Sequence, residues 1–229
     1  MTLLVQENSP ERVMAYKTAT TKNLNDLNGA SLPILGVAGK ALSVFEKDLI
    51  GAEFGIAYGG SVKTIGQIWK DKGIIYGFDT FDGHPKEVAL KDPCCNFSKD
   101  SQQAACMDFW YDRFDNRELT IEYQQNELNK ERLSNVRLVK GLIDEKSNID
   151  YIPYLNYALL DLDIPLSMKN VFNLIEPKLV KGAFLCLHDV LPKGHLAGLS
   201  EWYETILASQ KFDIVWEYPN SHLAVLQKL

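Results

Sequence analysis

From about residue 50 the chain alternates between short apolar runs and longer stretches in which apolar residues recur at helical spacing. In residues 60–73, four apolar side chains fall on one helix face and Gly73 follows as a stop. The same pattern predicts further helices at 116–135, from 167 to an end near 177–182, and at 198–210. The short runs predict seven strands, at 49–55, 74–79, 136–141, 157–163, 183–189, 212–219 and 221–229.

Strands that alternate with helices are typical of a parallel sheet with helices on both faces. The last two strands, joined by a Pro-Asn-Ser turn, break this alternation and predict one antiparallel strand near the sheet edge. The predicted fold is therefore α/β: a Rossmann-like, doubly wound, mostly parallel seven-stranded sheet. We expect residues 49–229 to form this domain, residues 1–48 to be helical decoration, and residues 84–115 to be a lid-like insert.

Composition narrows the class of protein. The 229 residues are 46% hydrophobic, as in ordinary globular proteins, and the formal net charge of -6 argues against a dedicated nucleic-acid binder. No apolar stretch approaches the roughly 18 residues that would suggest a membrane span, and the N-terminus does not resemble a secretory signal. The cysteines do not form a disulfide-framework pattern, so we expect a cytoplasmic protein with reduced thiols.

A glycine-rich turn, residues 53–60, follows the first predicted strand. Gly55 allows the backbone to turn, while Gly59 and Gly60 allow a ligand or the next helix to approach closely. Asp79 ends the second predicted strand, where an acid commonly accepts hydrogen bonds from ribose hydroxyls. This combination predicts a nucleoside-containing cofactor, although helix packing alone could also require the glycines.

The charge of Glu53 discriminates between cofactors. A carboxylate beside a pyrophosphate is unfavourable because like charges repel, whereas it suits a cofactor that carries an ammonium and a sulfonium. The sequence therefore favours S-adenosylmethionine over NAD.

Four side chains suggest a second site at the same edge of the sheet. Asp161 and Asp163 are two apart on a predicted strand and are expected to share a face, and His188 and Asp189 end the next strand. Together they could hold one divalent ion, which would lower the pKa of a bound substrate hydroxyl.

The segments "EFGIAYGGS" and "IIYGFDTFDGHP" resemble the macrocin O-methyltransferase group of class I S-adenosylmethionine-dependent methyltransferases. That group reads E-x-G-x-x-x-G-G, followed by a strand ending F-D-[ST]-F-x-G-x-P, and the text after residue 157 resembles its D-x-D-x-x-x-S-T pattern. The resemblance covers about residues 50–190. It implies methyl transfer to a hydroxyl of a small molecule, often a sugar or phenol of a natural product, usually with Mg²⁺.

The resemblance also assigns roles to the acidic residues. Asp161 matches the first metal ligand, Asp163 the general base, and His188 with Asp189 the paired acids. His188 departs from the pattern, which has Asp there. Because imidazole is a poor ligand for Mg²⁺ and suits Mn²⁺, Zn²⁺ or Fe²⁺ better, His188 could instead be the general base.

The residues expected at the cofactor follow the same pattern. Glu53 would hold the methionine ammonium, Asp79 the ribose, and Asp144 the adenine amine. The remaining contacts are expected from Gly55, Tyr58, Gly59, Gly60 and Ser61 around the methionine, and from Thr80, Phe81 and Gly141 near the adenine.

Two other functions stay open at this stage. One is a metal-dependent oxygenase on the same fold, with iron held by His188 and the acids, and the other is a non-catalytic S-adenosylmethionine-binding protein. Weaker candidates are a zinc site at Cys94, Cys95 and Cys106, aromatic stacking at 107–114, and substrate contact by His195. We expect a small-molecule hydroxyl acceptor, no nucleic-acid or membrane partner, and a homodimer.

Overall fold

The structure is a computed structural model that describes residues 47–83, 117–191, 198–218 and 222–229. Its strands are β1 (Leu49–Phe54), β2 (Gly73–Asp79), β3 (Val136–Lys140), β4 (Leu155–Leu160), β5 (Leu179–Leu187), β6 (Phe212–Tyr218) and β7 (Leu223–Lys228). Its α-helices are α1 (Gly60–Ile68), α2 (Ile121–Lys130), α3 (Pro165–Ile175) and α4 (Leu199–Ala208). Short 3₁₀ turns at Arg117–Leu119 and Glu176–Lys178 precede α2 and follow α3.

The seven strands form one sheet in the order β3-β2-β1-β4-β5-β7-β6. Only β7 runs against the others, pairing antiparallel with both β5 and β6. The chain moves outward from β1 to β3 and then restarts on the other side at β4, so the strand order reverses between β1 and β4. The predicted doubly wound fold is confirmed, and ligands in such sheets bind outside the carboxyl ends of the strands at this point.

Alternating side chains along the strands build a core on each face of the sheet. In β4, Ala158 and Leu160 contribute to the core that contains the buried residues of α3 and α4, while Tyr157 and Leu159 belong to the core with α1 and α2. All four are almost fully buried. The apolar run from Tyr157 to Leu160 is thus explained by a central strand that is covered on both faces.

The third predicted helix ends just before the range 177–182 that the sequence pattern indicated. The α-helix stops at Ile175, and Leu179 already pairs with Leu155 in the sheet. Pro177 explains this ending because it lacks a backbone N–H and cannot continue a helix. The predicted helix 116–135 is also shorter, since it begins after Thr120, whose hydroxyl accepts the N–H of Tyr123.

The prediction that Asp161 and Asp163 share one face of a strand is wrong. The strand ends at Leu160, although the N–H of Asp161 still donates to the carbonyl of Phe54 at 2.9 Å. Asp163 has a φ of 58°, which no strand accommodates. Both residues therefore belong to the loop between β4 and α3.

Several predictions concern residues outside the described ranges. They are the helical decoration predicted for residues 1–48, of which 1–46 lie outside, the insert at 84–115 with its cysteines and aromatic residues, and His195. Among the described residues, no helix has both the length and the apolar character needed to cross a membrane.

Candidate active site

The turn after β1 depends on a glycine at position 55. Gly55 has a φ of +85°, and its N–H donates to the carbonyl of Phe78 in the neighbouring strand at 2.9 Å. A Cβ at this position would lie 1.9 Å from the carbonyl oxygen of Asp161. The turn after β1 is therefore packed directly against the loop that carries the acidic residues.

The Asp79 carboxylate joins the turns that follow β1 and β2. Its Oδ2 accepts the backbone N–H groups of Ile56 and Ala57 at 2.9 and 3.1 Å, and its Oδ1 accepts the N–H of Phe81 at 2.8 Å. Asp79 thus lies at the carboxyl end of β2 beside the glycine-rich turn, as predicted. Because a carboxylate offers about four acceptor positions, ribose hydroxyls could bind in addition to these backbone groups.

Glu53 is a buried acid with one unpaired oxygen. Ser61 donates a hydrogen bond to Oε1, whereas Oε2 is shielded from solvent and has no hydrogen-bond partner among the described residues. Burial raises the pKa of Glu53 to about 8; the bond from Ser61 opposes this change, and the charges of Asp161 and Asp79 add to it. A cation placed against Oε2 would relieve both the unmet hydrogen bond and the cost of burying the charge.

Helix α1 begins directly after this turn. Gly59 is its N-cap with a φ of 69°, and a Cβ there would lie 2.4 Å from Oε1 of Gln124. Gly60 and Ser61 form the first turn of the helix, and the side chain of Tyr58 is 39% exposed. Gly59 therefore allows α1 and α2 to pack closely, which is the structural role that the sequence also permitted.

The predicted metal ligands come together at the ends of β4 and β5. The Nδ1 atom of His188 lies 3.0 Å from Oδ1 of Asp161 and 3.2 Å from Oδ2 of Asp189. One potential ligand atom from each of the three residues lies within 4.8 Å of the others. Two carboxylates and an imidazole at these separations fit a divalent cation.

Electrostatics hold this cluster together without a metal. Burial disfavours a charged imidazole, but the two carboxylates outweigh it and raise the pKa of His188 to about 11. Burial also raises the pKa of Asp189, yet the hydrogen bond and charge of His188, with a hydrogen bond from Asp163, lower it overall. A metal ion would replace the proton on His188, and an imidazole ligand favours Mn²⁺, Zn²⁺ or Fe²⁺ over Mg²⁺.

Backbone strain is concentrated around the site. Four non-glycine residues with positive φ, each just beyond a strand, are Ala57 after β1, Phe81 after β2, Asp163 after β4 and Asp189 after β5. Such conformations cost about 1–3 kcal/mol each and cluster at active sites and ligand clamps. The strain lies at the edge where doubly wound sheets bind ligands.

The residues expected near the adenine lie at the ends of β2 and β3. Gly141 follows β3 with a φ of +150°, and its N–H donates to the carbonyl of Asp79 at 2.9 Å. Thr80 donates its hydroxyl to the carbonyl of Gly83, and Phe81 is buried. The Oδ1 atom of Asp144 accepts hydrogen bonds from Lys146 and Ser147 within its own turn. 

Sequence reasoning missed three residues beside the site. Tyr157 and Cys186 are fully buried on the same sheet face as Glu53, and burial raises the pKa of the Cys186 thiol to about 12. The third, His222, precedes β7 and interacts electrostatically with Asp189. The antiparallel pairing predicted for the last strands was the signal that could have found His222.

The chain is similar to known proteins in its structure. No protein-family model matches the chain, and no curated protein matches it in sequence. Solved structures do match: the O-methyltransferase NovP has 15% identity and a TM-score of 0.64, with 86% of this chain and 78% of that chain covered. The calicheamicin methyltransferase CalS11 has 17% identity and a TM-score of 0.56, covering 97% and 94%. A methyltransferase from Geobacter sulfurreducens has 11% identity and a TM-score of 0.53, covering 98% and 90%. At these identities the likeness establishes a shared fold, the doubly wound sheet on which these methyltransferases are built.

Proposed function

We propose that this protein is an S-adenosylmethionine-dependent O-methyltransferase that methylates a hydroxyl of a small molecule. The observation that carries the proposal is the buried Glu53, whose unpaired oxygen lies beside a glycine turn held by Asp79. S-adenosylmethionine carries positive charge, which suits Glu53, and a ribose, which suits Asp79. The fold it shares with NovP and CalS11, which are named as methyltransferases, supports the same conclusion.

Each side of the cofactor would meet residues suited to it. Glu53 would bind the ammonium end of the methionine portion, and Asp79 would accept hydrogen bonds from the ribose without releasing the two turns that it joins. Gly141 leaves open space where a side chain would start, with no atom of the described residues within 4 Å of a Cβ there. The adenine could therefore lie against the backbone at the end of β3.

Asp161, His188 and Asp189 would hold a divalent cation, either Mg²⁺ or Mn²⁺. When bound, such a cation lowers the pKa of a coordinated hydroxyl and orients it. Asp163 lies next to this set, since its side chain neighbours that of Asp189, and in its ionised form it would accept the proton of the acceptor hydroxyl. Because Nδ1 of His188 faces both Asp161 and Asp189 and would bind the cation, Asp163 is the better candidate for the base.

The oxygenase alternative receives no support from the ligand set. Its typical iron site has two imidazoles and one carboxylate, whereas the set found among the described residues has one imidazole and two carboxylates. The other alternative, a non-catalytic S-adenosylmethionine-binding protein, would bind the cofactor as well as an enzyme does but would not transfer its methyl group.

Calorimetric titration with S-adenosylhomocysteine, with NAD as a control, tests the cofactor. We expect micromolar binding of S-adenosylhomocysteine, weaker binding by Glu53→Ala, and no binding of NAD. Absence of S-adenosylhomocysteine binding to the wild-type protein would overturn the proposal. A screen of sugar and phenol acceptors with Mn²⁺ or Mg²⁺ then tests catalysis, in which Asp163→Asn should keep cofactor binding and lose methyl transfer.

A further inference from the structure

The strand register indicates that His222 lies beside Asp189, one of the three residues of the proposed metal site. Leu187 of β5 pairs with Ala224 of the antiparallel β7. Two residues beyond this pair in each strand are Asp189 and His222, which the register sets opposite each other. Both leave the extended conformation at this level, with φ values of 58° and 52°.

Charge and burial agree with this placement. The charge of His222 is one of the effects that lower the pKa of Asp189, so the imidazole is close enough to act on that carboxylate. The Nδ1 atom of His222 is shielded from solvent, although the residue as a whole is half-buried. Asp189 therefore has two imidazole neighbours: His188, which precedes it after the end of β5, and His222, which precedes β7.

The two imidazoles differ in their relation to a cation. His188 belongs to the set of atoms within 4.8 Å of one another, and the nitrogen atoms of His222 do not. A cation bound at Nδ1 of His188 would replace the 3.2 Å contact between His188 and Asp189. His222 would then be the imidazole that still neighbours Asp189. Residues in this position orient ligating carboxylates and affect metal affinity without binding the metal.

We infer that His222 is a positioning residue of the metal site, which holds the Asp189 carboxylate in the orientation needed to bind a divalent cation. The inference rests on the proposed metal site and is independent of which hydroxyl compound is methylated. The role belongs to the residue that directly precedes β7.

Mn²⁺ binding to the full chain tests this role, measured by calorimetry and by electron spin-echo spectroscopy, which detects imidazole nitrogen bound to Mn²⁺. We expect His222→Ala to weaken Mn²⁺ binding by about 10–100-fold. The conservative variant His222→Gln, which keeps a donor group, should recover most of the affinity. Gln227→Ala, at the other end of β7, is the matched control and should bind Mn²⁺ like the wild type. The nitrogen signal of His188 should persist in all of these variants.

Three results would overturn the inference. The first is unchanged Mn²⁺ affinity in His222→Ala. The second is loss of the nitrogen signal in that variant, which would make His222 a direct ligand. The third is a wild-type protein that does not bind Mn²⁺. S-adenosylhomocysteine binding without metal, measured in parallel, separates these cases from the proposed function: it should be equal in all variants, and its absence in the wild type would count against the methyltransferase proposal instead.

Discussion

Gly55 and Asp161 are in backbone contact: a Cβ on Gly55 would lie 1.9 Å from the Asp161 carbonyl oxygen. The turn expected to bind the cofactor and the loop that begins with Asp161, a ligand of the proposed metal site, are therefore one packed unit. The N–H of Asp161 strengthens this unit by donating to Phe54, the residue before Gly55. Displacement of either segment must displace the other, so a change that weakens cofactor binding at the turn should also weaken metal binding at the loop.

Gly55→Ala tests this coupling. The substitution introduces both a positive-φ alanine and a clash with a backbone atom that cannot rotate away. From about 1–2 kcal/mol for the conformation and about 1–3 kcal/mol for overpacking, we expect a loss of about 2–5 kcal/mol in the free energy of unfolding. Urea denaturation measures this loss, and Mn²⁺ calorimetry should show weaker metal binding because Asp161 moves.

Gly141→Ala is the matched control for Gly55→Ala. It also places alanine at a positive φ, but its Cβ would meet no atom of the described residues within 4 Å. Gly141→Ala should therefore lower the free energy of unfolding by the conformational contribution alone and leave the Mn²⁺ affinity unchanged. Equal losses of stability in the two variants would show that the contact with Asp161 is unimportant.

Glu53→Gln should remove a pH dependence of stability. The pKa of Glu53 is about 8 in the folded protein against an ordinary value of 4.5, so between these pH values the unfolded chain loses the proton and the folded protein keeps it. The contribution of protonated Glu53 to the free energy of unfolding is complete below pH 4.5. Above that pH it falls by about 1.4 kcal/mol per pH unit, and it is lost above pH 8. The difference in unfolding free energy between wild type and variant, measured by urea denaturation from pH 4 to 9, isolates Glu53 from His188. A difference that does not change with pH would contradict the buried, protonated state.

The sequence predicted the parts of the site that depend on local order along the chain. Glu53, Asp79 and His188 could be assigned to strand ends because apolar runs mark where strands lie, and parallel strands bring their carboxyl ends together. The conformation of Asp163 was not predictable in this way, because its positive φ depends on the packing of the loop after β4. His222 was missed because only the pairing of β5 with β7, which are far apart along the chain, brings it close to Asp189.

Tyr157→Phe should not destabilise the protein. The Tyr157 hydroxyl is buried without a hydrogen bond of normal geometry among the described residues, and its polar neighbour is the weakly bonding thiol of Cys186. Removing a buried unpaired hydroxyl should raise the unfolding free energy by about 1 kcal/mol. Tyr203→Phe is the control, because Tyr203 donates to Glu217 at 2.8 Å and should lose about 1.5–3 kcal/mol. If Tyr157→Phe loses as much as Tyr203→Phe in urea denaturation, a bound water or another partner must satisfy Tyr157.

His188→Asp should change which metal the site prefers. In the wild type a protonated imidazole offsets one of the two negative charges of Asp161 and Asp189, which stabilises the cluster without a cation, and a cation must displace that proton to bind. The variant replaces this arrangement with three carboxylates that repel one another and that provide the oxygen ligands preferred by Mg²⁺. We therefore expect a lower melting temperature without metal and a larger rise on adding Mg²⁺ than in the wild type. Calorimetry should show the affinity for Mg²⁺ rising several-fold relative to Mn²⁺. His188→Asn, which adds no charge, should show the smaller metal-dependent rise in melting temperature. If Mg²⁺ raises the melting temperature of all three proteins equally, the cation binds elsewhere and the three residues form an ion-pair cluster only.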